Sequence, residues 1–250
     1  MPSPIDLLLD PVTLTSLAIY GALILWEALA PARTLPAVRG WRAKGVAAFA
    51  LFFLVSSYLP WLWADQLAVW QLLDLSGLNR WAGAVIALLA YQAGVYAWHR
   101  SMHGSPRLWR SFHQLHHSAE RLDTFGAFWF SPLDMIGWTV LSSLSLGLLG
   151  LAPEAVVLFV YFTMFLSIFQ HANIRTPRWL GYFVQRPESH SHHHARDVHT
   201  GNFGDLPLFD IVFGTFENPR GFAPETGFYH GASRRVIDML RFRDIAKEAS

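Results

Sequence analysis

Five apolar runs, at about residues 12–30, 45–63, 81–98, 133–150 and 154–172, take up more than a third of this 250-residue chain and leave it few folds to choose from. Each approaches the roughly 20 residues that a helix needs to cross a hydrocarbon core. In that medium every backbone N–H and C=O must find its partner inside its own segment, so helix is the expected state. Charge is correspondingly scarce: 15% of residues are Asp, Glu, Lys or Arg, against about 25% in a soluble domain. The fourth and fifth runs flank Gly150-Leu151-Ala152-Pro153, a turn, and should form a hairpin with both ends on one side. Glu27 stands where a signal-peptide cleavage site would want a small residue, so the first run is expected to be retained.

Loop charges give an orientation. The connection after the first run carries Arg33, Arg39, Arg42 and Lys44 and no acid, whereas the next carries Asp65, Asp74 and Arg80. The positive-inside rule then puts the first loop in the cytoplasm. The third run delivers His99 to that same face, and the hairpin returns His171 and the stretch 190–199 to it. Residues 99–132 and 173–250, more polar and rich in Arg, Pro and Gly, are expected to cap the bundle there. Gly104-Ser105-Pro106 should separate two helices within the cap, and 234–247 reads as a short amphipathic helix with Val236, Ile237, Leu240 and Ile245 on one side. The expectation is one all-α unit over 1–250: four to five membrane helices under a cytoplasmic helical cap.

Ten of the twelve histidines fall in two short windows, and both contain His-x-x-His-His: His113, His116 and His117, then His190, His193 and His194. His99 and His103 open the first window, which spans 99–117, the second spans 190–199, and His171 ends the fifth apolar run. Offsets of three and four residues return side chains to nearly one helix face. Imidazole suits zinc, copper, iron and nickel, so these nine residues are the expected metal ligands. Nine nitrogens overfill one centre and match two, with four or five each. There is no cysteine, which excludes disulfides, thiolate ligands and iron–sulfur clusters. A net charge of +1 argues for no nucleic acid or other acidic partner. Glu120, Asp123, Glu188, Asp197 and Asp205 are the nearby acids that could orient ligand rings.

The ordered set resembles the fatty acid hydroxylase/sterol desaturase superfamily of integral-membrane non-haem diiron enzymes, over residues 85–220. The motifs are His99-Arg100-x-x-His103, Leu108-Trp109 leading to His113-x-x-His116-His117-Ser118, His171-Ala172-Asn173, and Pro187 leading into His190-x-x-His193-His194. Asn202-Phe203-Gly204 and Phe209-Asp210 through Phe213-Gly214-Thr215-Phe216 match the family's closing signature with two aromatic swaps. There are departures: Ser131-Pro132 stands where many members have His-Pro, and Thr200 where some have an acid. His192 and His230 lie outside the pattern, while His199, Asp197 and Asn202 are second-rank candidates around the ligands.

The resemblance implies two iron ions, with zinc able to substitute in preparations, and O2 as co-substrate. The implied reaction is hydroxylation of an unactivated C–H bond in a lipid-like substrate, fatty acyl, sterol or related, entering from the bilayer. Desaturation on the same site is the alternative; a membrane zinc hydrolase or a non-catalytic metal-binding protein is the alternative of another class. The hydrolase would want a His-Glu-x-x-His glutamate, which is absent. With no nicotinamide or flavin fingerprint, electrons are expected from a ferredoxin or small haem protein with its reductase, docking near Arg107, Arg110, Arg196 and Arg220. Trp98, Trp109, Phe125, Phe128, Trp129 and Phe130 are candidate walls of a substrate passage. A bacterial inner membrane is the expected location.

Overall fold

The computed structural model describes residues 1–198 and 200–246. Its helices are α1 (Pro4–Leu9), α2 (Pro11–Leu29), α3 (Trp41–Tyr58), α4 (Ala64–Val69), α5 (Arg80–Gly104), α6 (Pro106–Leu108), α7 (Gln114–His117), α8 (Pro132–Gly147), α9 (Pro153–Phe169), α10 (Pro187–His193), α11 (Leu208–Phe213) and α12 (Val236–Leu240). Among the described residues the only β-pairings are two isolated bridges, so the all-α class holds.

Local sequence sets many of the starts. Asn79 accepts from the backbone N–H groups of Trp81 and Ala82 to begin α5. Ser131 caps α8 by accepting from Asp134 N, and proline opens α2, α8, α9 and α10, where its missing N–H costs nothing. Between α6 and α7, Trp109–His113 forms one π-helical turn, a wider winding that recurs at functional sites.

All five apolar runs are helical, but they are not alike. α2, the stretch Trp41–Leu62 and α5 are long and apolar enough to cross a membrane. α8 and α9, at 16 and 17 residues, are shorter than the apolar runs they overlap. They rise about 24 and 26 Å, under the ~30 Å of a hydrocarbon core. The hairpin therefore turns earlier than the hydropathy indicates, with Gly150 in the left-handed region at φ 56°. Leu25, Trp26 and Leu29 on α2 and Val46, Leu51 and Leu54 on α3 are exposed, as lipid-facing side chains would be.

α5 is the axis, packed against both α8 and α9, while α2 packs on α9 and α3 on α8. Two glycines let α5 come close. A Cβ at Gly83 would lie 2.9 Å from the Ala155 methyl, and one at Gly94 2.6 Å from Leu141 Cδ1. α5 also runs six residues beyond the expected apolar segment, which carries His99 and His103 out on its last turns.

The cap has its own core of Trp41, Trp109, Leu115, Trp129, Phe228, Met239 and Ile245. It is tied to the bundle through Glu27, which accepts from Thr124 N (2.9 Å) and Asn173 N (3.0 Å). The C-terminal segment departs from expectation. The helix stops at Leu240, leaving Ile237 and Leu240 exposed, while Met239 and Ile245 are buried. Packing on the cap, not a continuous amphipathic face, decides which residues turn inward.

Candidate metal centre

α5, the α6–α7 segment, the end of α9 and α10 all deliver histidines to one layer. Nine rings meet there in two groups. His99, His103, His113, His117 and His193 form one, and His116, His171, His190 and His194 the other; within each group one nitrogen per ring lies within 4.8 Å of all the rest. Every ring except the half-buried His103 is buried.

The division follows helix geometry. At about 100° per residue, positions i and i+4 stand only about 40° apart, whereas i+3 falls about 60° to the other side. His113 and His117 accordingly share the five-ring group while His116 turns to the other. His190 and His194 share the four-ring group while His193 crosses over. Each His-x-x-His-His motif thus feeds both groups, a pair to one and a single ring to the other.

Ring orientation is set from behind. His99 Nδ1 lies 2.7 Å from Phe203 O, His193 Nδ1 2.8 Å from Gly201 O and His171 Nδ1 2.6 Å from Ser167 O. His113 Nδ1 meets the buried Asp134 carboxylate at 2.8 Å. A carbonyl can only accept, so Nδ1 carries the proton and Nε2 presents a lone pair. These lone pairs converge: His99 Nε2 is 2.9 Å from that of His113 and 3.0 Å from that of His193. In the second group, His171 Nε2 is 3.0 Å from His190 Nε2 and 3.2 Å from His116 Nε2; a carbonyl fixes the tautomer of His171, while His190 Nδ1 faces the Gln185 amide nitrogen. Lone pairs facing one another at such distances repel unless a cation lies between them. Two nitrogens each about 2.1 Å from one ion and 90° apart would be about 3.0 Å apart. Among the described residues, both nitrogens of His194 are buried without a hydrogen-bond partner, a cost that a bound ion would relieve. The residues fit a pair of metal ions.

The charge state agrees. Burial, followed by the neighbouring rings, pushes His113, His116, His117, His190 and His194 well below the ordinary imidazole value. Burial takes His171 to about 4. Neutral imidazole is the form that binds metal.

Among the described residues, none of the five acids singled out in the sequence is bonded to a histidine ring. Glu120 accepts from Gly231 N, Asp123 from Trp41 Nε1, Glu188 from Thr176, and Asp205 from Gln92 and Gln170; Asp197 is exposed on a turn. The acid that does hold a ring, Asp134, was not among them. It lies on the first turn of α8, opened by the same Ser131-Pro132 that departs from the family pattern, and a Ser-x-x-Asp start was the available signal. Asn202 supports the layer from outside: Oδ1 accepts from Glu217 N, and its carbonyl accepts from Gln185 Nε2, which also lies 3.3 Å from His190 Nδ1. Asp210 accepts from Phe203 N, Gly204 N and Thr215 Oγ1, fixing the loop whose carbonyl holds His99. His192 meets Gly221 O at 3.1 Å and joins neither group, and His230 is exposed. His199 lies outside the described residues.

A cavity of about 790 Å³ opens from the rings of His99, His113, His116, His171 and His190 into the bundle and reaches Pro60, Leu67 and Leu151. Phe128 and Phe130, two of the six expected wall aromatics, line it together with Phe49, Phe52, Trp138 and Phe159. Trp109 and Trp129 pack in the cap core instead.

The fatty acid hydroxylase family model matches residues 84–215, just over half of the chain. Ornithine lipid hydroxylase OlsE of Rhizobium tropici is 36% identical over 141 residues, 54% of this chain and 42% of its own length. Cholesterol 25-hydroxylase of Rattus norvegicus is 26% identical over 93 residues, 37% of this chain and 31% of its own. The matches thus span under half the length of either relative. No solved structure matches.

Proposed function

Because the chain belongs to the fatty acid hydroxylase family, we propose that it is a membrane enzyme that hydroxylates a lipid at a histidine-held diiron centre, using O2. The observation that carries this reading is the convergence of nine imidazoles into groups of five and four at the inner end of a largely apolar cavity. His99, His103, His113, His117 and His193 would hold one iron, and His116, His171, His190 and His194 the other. Bound there, the iron pair supplies reductive activation of O2 and oxidation of an unactivated C–H bond.

The protein's own part is ligation, orientation and exclusion of water. Phe203 O, Gly201 O, Ser167 O and Asp134 keep ring nitrogens aimed inward. The cavity has the size usual for small-molecule sites, about 300–1,000 Å³, and its Phe and Leu walls suit an acyl chain or a ring system. Both relatives are named as hydroxylases of lipids, one of ornithine lipid and one of cholesterol, which favours hydroxylation over desaturation. Electrons would come from a separate ferredoxin or small haem protein at the cap, and loop charges favour a cytoplasmic cap. Arg196 is already paired with Glu225 at 2.7 Å, leaving Arg107, Arg110 and Arg220 as the better docking cations.

Metal analysis with Mössbauer spectroscopy of protein from an iron-57 culture tests the centre. Two irons per chain with a coupled diiron signal, lost in His116→Ala, are expected. Stoichiometric zinc that iron cannot replace without unfolding would overturn the proposal. Mass spectrometry of lipids from cells expressing the chain should then show an O2-derived gain of one oxygen.

A further inference from the structure

One acid in the cavity wall has no task in holding the histidines. Asp205 lines the cavity, in the loop between the His99-holding carbonyl and α11. Gln92 Nε2 donates to its Oδ2 at 2.8 Å and Gln170 Nε2 to its Oδ1 at 2.7 Å. Gln92, fully buried on α5, also accepts from Asp205 N and Leu206 N through Oε1 (3.0 and 3.2 Å), so this amide is fixed on both sides. Two neutral amides therefore clamp a carboxylate whose oxygens offer about four acceptor positions in all. Among the described residues no Lys, Arg or His forms an ion pair with it. Burial pushes its carboxyl above the ordinary range, while the two amides hold it down.

The rest of the wall sharpens the point. Its side chains include no Lys and no Arg; apart from the histidines, its charged members are Asp205 and Asp10, and Asp10 is occupied in capping α2 at Val12 N (2.8 Å). Gln170, also in the wall, adjoins His171. Gln92 sits seven residues before His99, about 10 Å along the helix axis. A group bound at Asp205 would thus lie within the same cavity as the rings and about two helical turns from them.

We propose that Asp205, held by Gln92 and Gln170, is a substrate-anchoring subsite that takes an ammonium group, so that the enzyme selects lipids carrying a protonated amine. The inference rests on the lipid hydroxylase reading for its meaning, but its test needs only binding. Asp205 is a specificity-determining residue in this account. It leaves the metal site intact, and the ammonium supplies both the missing charge and N–H donors for the free acceptor positions.

The test is calorimetric titration of zinc-loaded, detergent-solubilised protein with decylammonium and with 1-decanol, each corrected by titration into protein-free micelles. The wild type should bind decylammonium at least tenfold more tightly than decanol, at one site. Asp205→Asn should lower that preference to below threefold with decanol binding, zinc content and helix content unchanged. Asp205→Glu should keep the preference, whereas a merely structural acid would tolerate the isosteric Asn better than the longer Glu. Equal binding of the two probes by the wild type overturns the proposal, even if no variant folds, and so does a preference that survives in Asp205→Asn. A preference lost in Asp205→Asn supports the subsite even in a protein that hydroxylates nothing. Turnover of neutral lipids without that preference overturns the subsite and leaves the hydroxylase standing.

Discussion

The five-ring and four-ring groups share a wall and are built from the same two motifs, yet different partners stand behind their rings. In the five-ring group, His99 and His193 are backed by loop carbonyls and His113 by the Asp134 carboxylate. In the four-ring group, His171 has a carbonyl, His190 faces the Gln185 amide, and among the described residues neither nitrogen of His194 has a hydrogen-bond partner. An anionic acceptor raises the basicity of the ring it holds and fixes its tautomer. The five-ring group is thus the more preorganised. The four-ring group offers one ring nitrogen fewer. Two centres cut from one motif become inequivalent through their surroundings.

The largest expected effect erases the comparison. Arg186, 1% exposed, donates to Thr176, Asn218 and Pro219 and pairs with Glu188 at 3.1 Å, holding the start of α10, which supplies both groups. Arg186→Met leaves Glu188 buried without its cation, a loss of about 3–5 kcal/mol. Thermal denaturation should show it, with metal lost from both centres together.

Acid comes next. The unfolded chain takes up protons below the ordinary imidazole value of 6.5, whereas folded His171 refuses one until about 4. A lowered folded value means that the stability is complete above about pH 6.5 and drains away as pH falls through that window. Melting of metal-free protein between pH 7 and pH 5 should therefore show a falling Tm. A flat profile would mean that the rings are more solvated than their burial indicates.

Asp134→Asn separates the centres. Its amide cannot replace the carboxyl group behind His113, so affinity at the five-ring centre should fall about 10–100-fold. Competition with a zinc chelator should show one ion leaving early and the other unmoved. Parallel loss of both would contradict the assignment of Asp134 to one centre. The smallest effect is expected for His192→Ala, since among the described residues that ring's hydrogen bond is to Gly221 O. Metal stoichiometry should stay intact and stability change by less than about 0.5 kcal/mol.

The nine histidines were legible because motif spacing is a local property: residues three and four apart share a helix face whatever surrounds the helix. The five helices were legible for a related reason, since apolar length reads directly as helix. Their ends were less so. α5 overruns its apolar segment to carry His99 and His103, and α8 and α9 stop short of theirs. Hydropathy does not register where the caps and turns fall. Asp134 was passed over because it lies 21 residues from His113 and on another helix. The acids nearer in sequence were already committed to backbone N–H groups and the Trp41 indole.

By itself, then, the sequence determined the helical class, the apolar segments and the set of rings that converge. All of these follow from periodicity within one segment. Only the tertiary structure decided what backs each ring and what faces the cavity. Phe203 reaches His99 across 104 residues and Asp205 reaches Gln92 across 113. Such pairings are fixed by how the helices pack, because a buried polar group must take whatever partner the packing brings within reach.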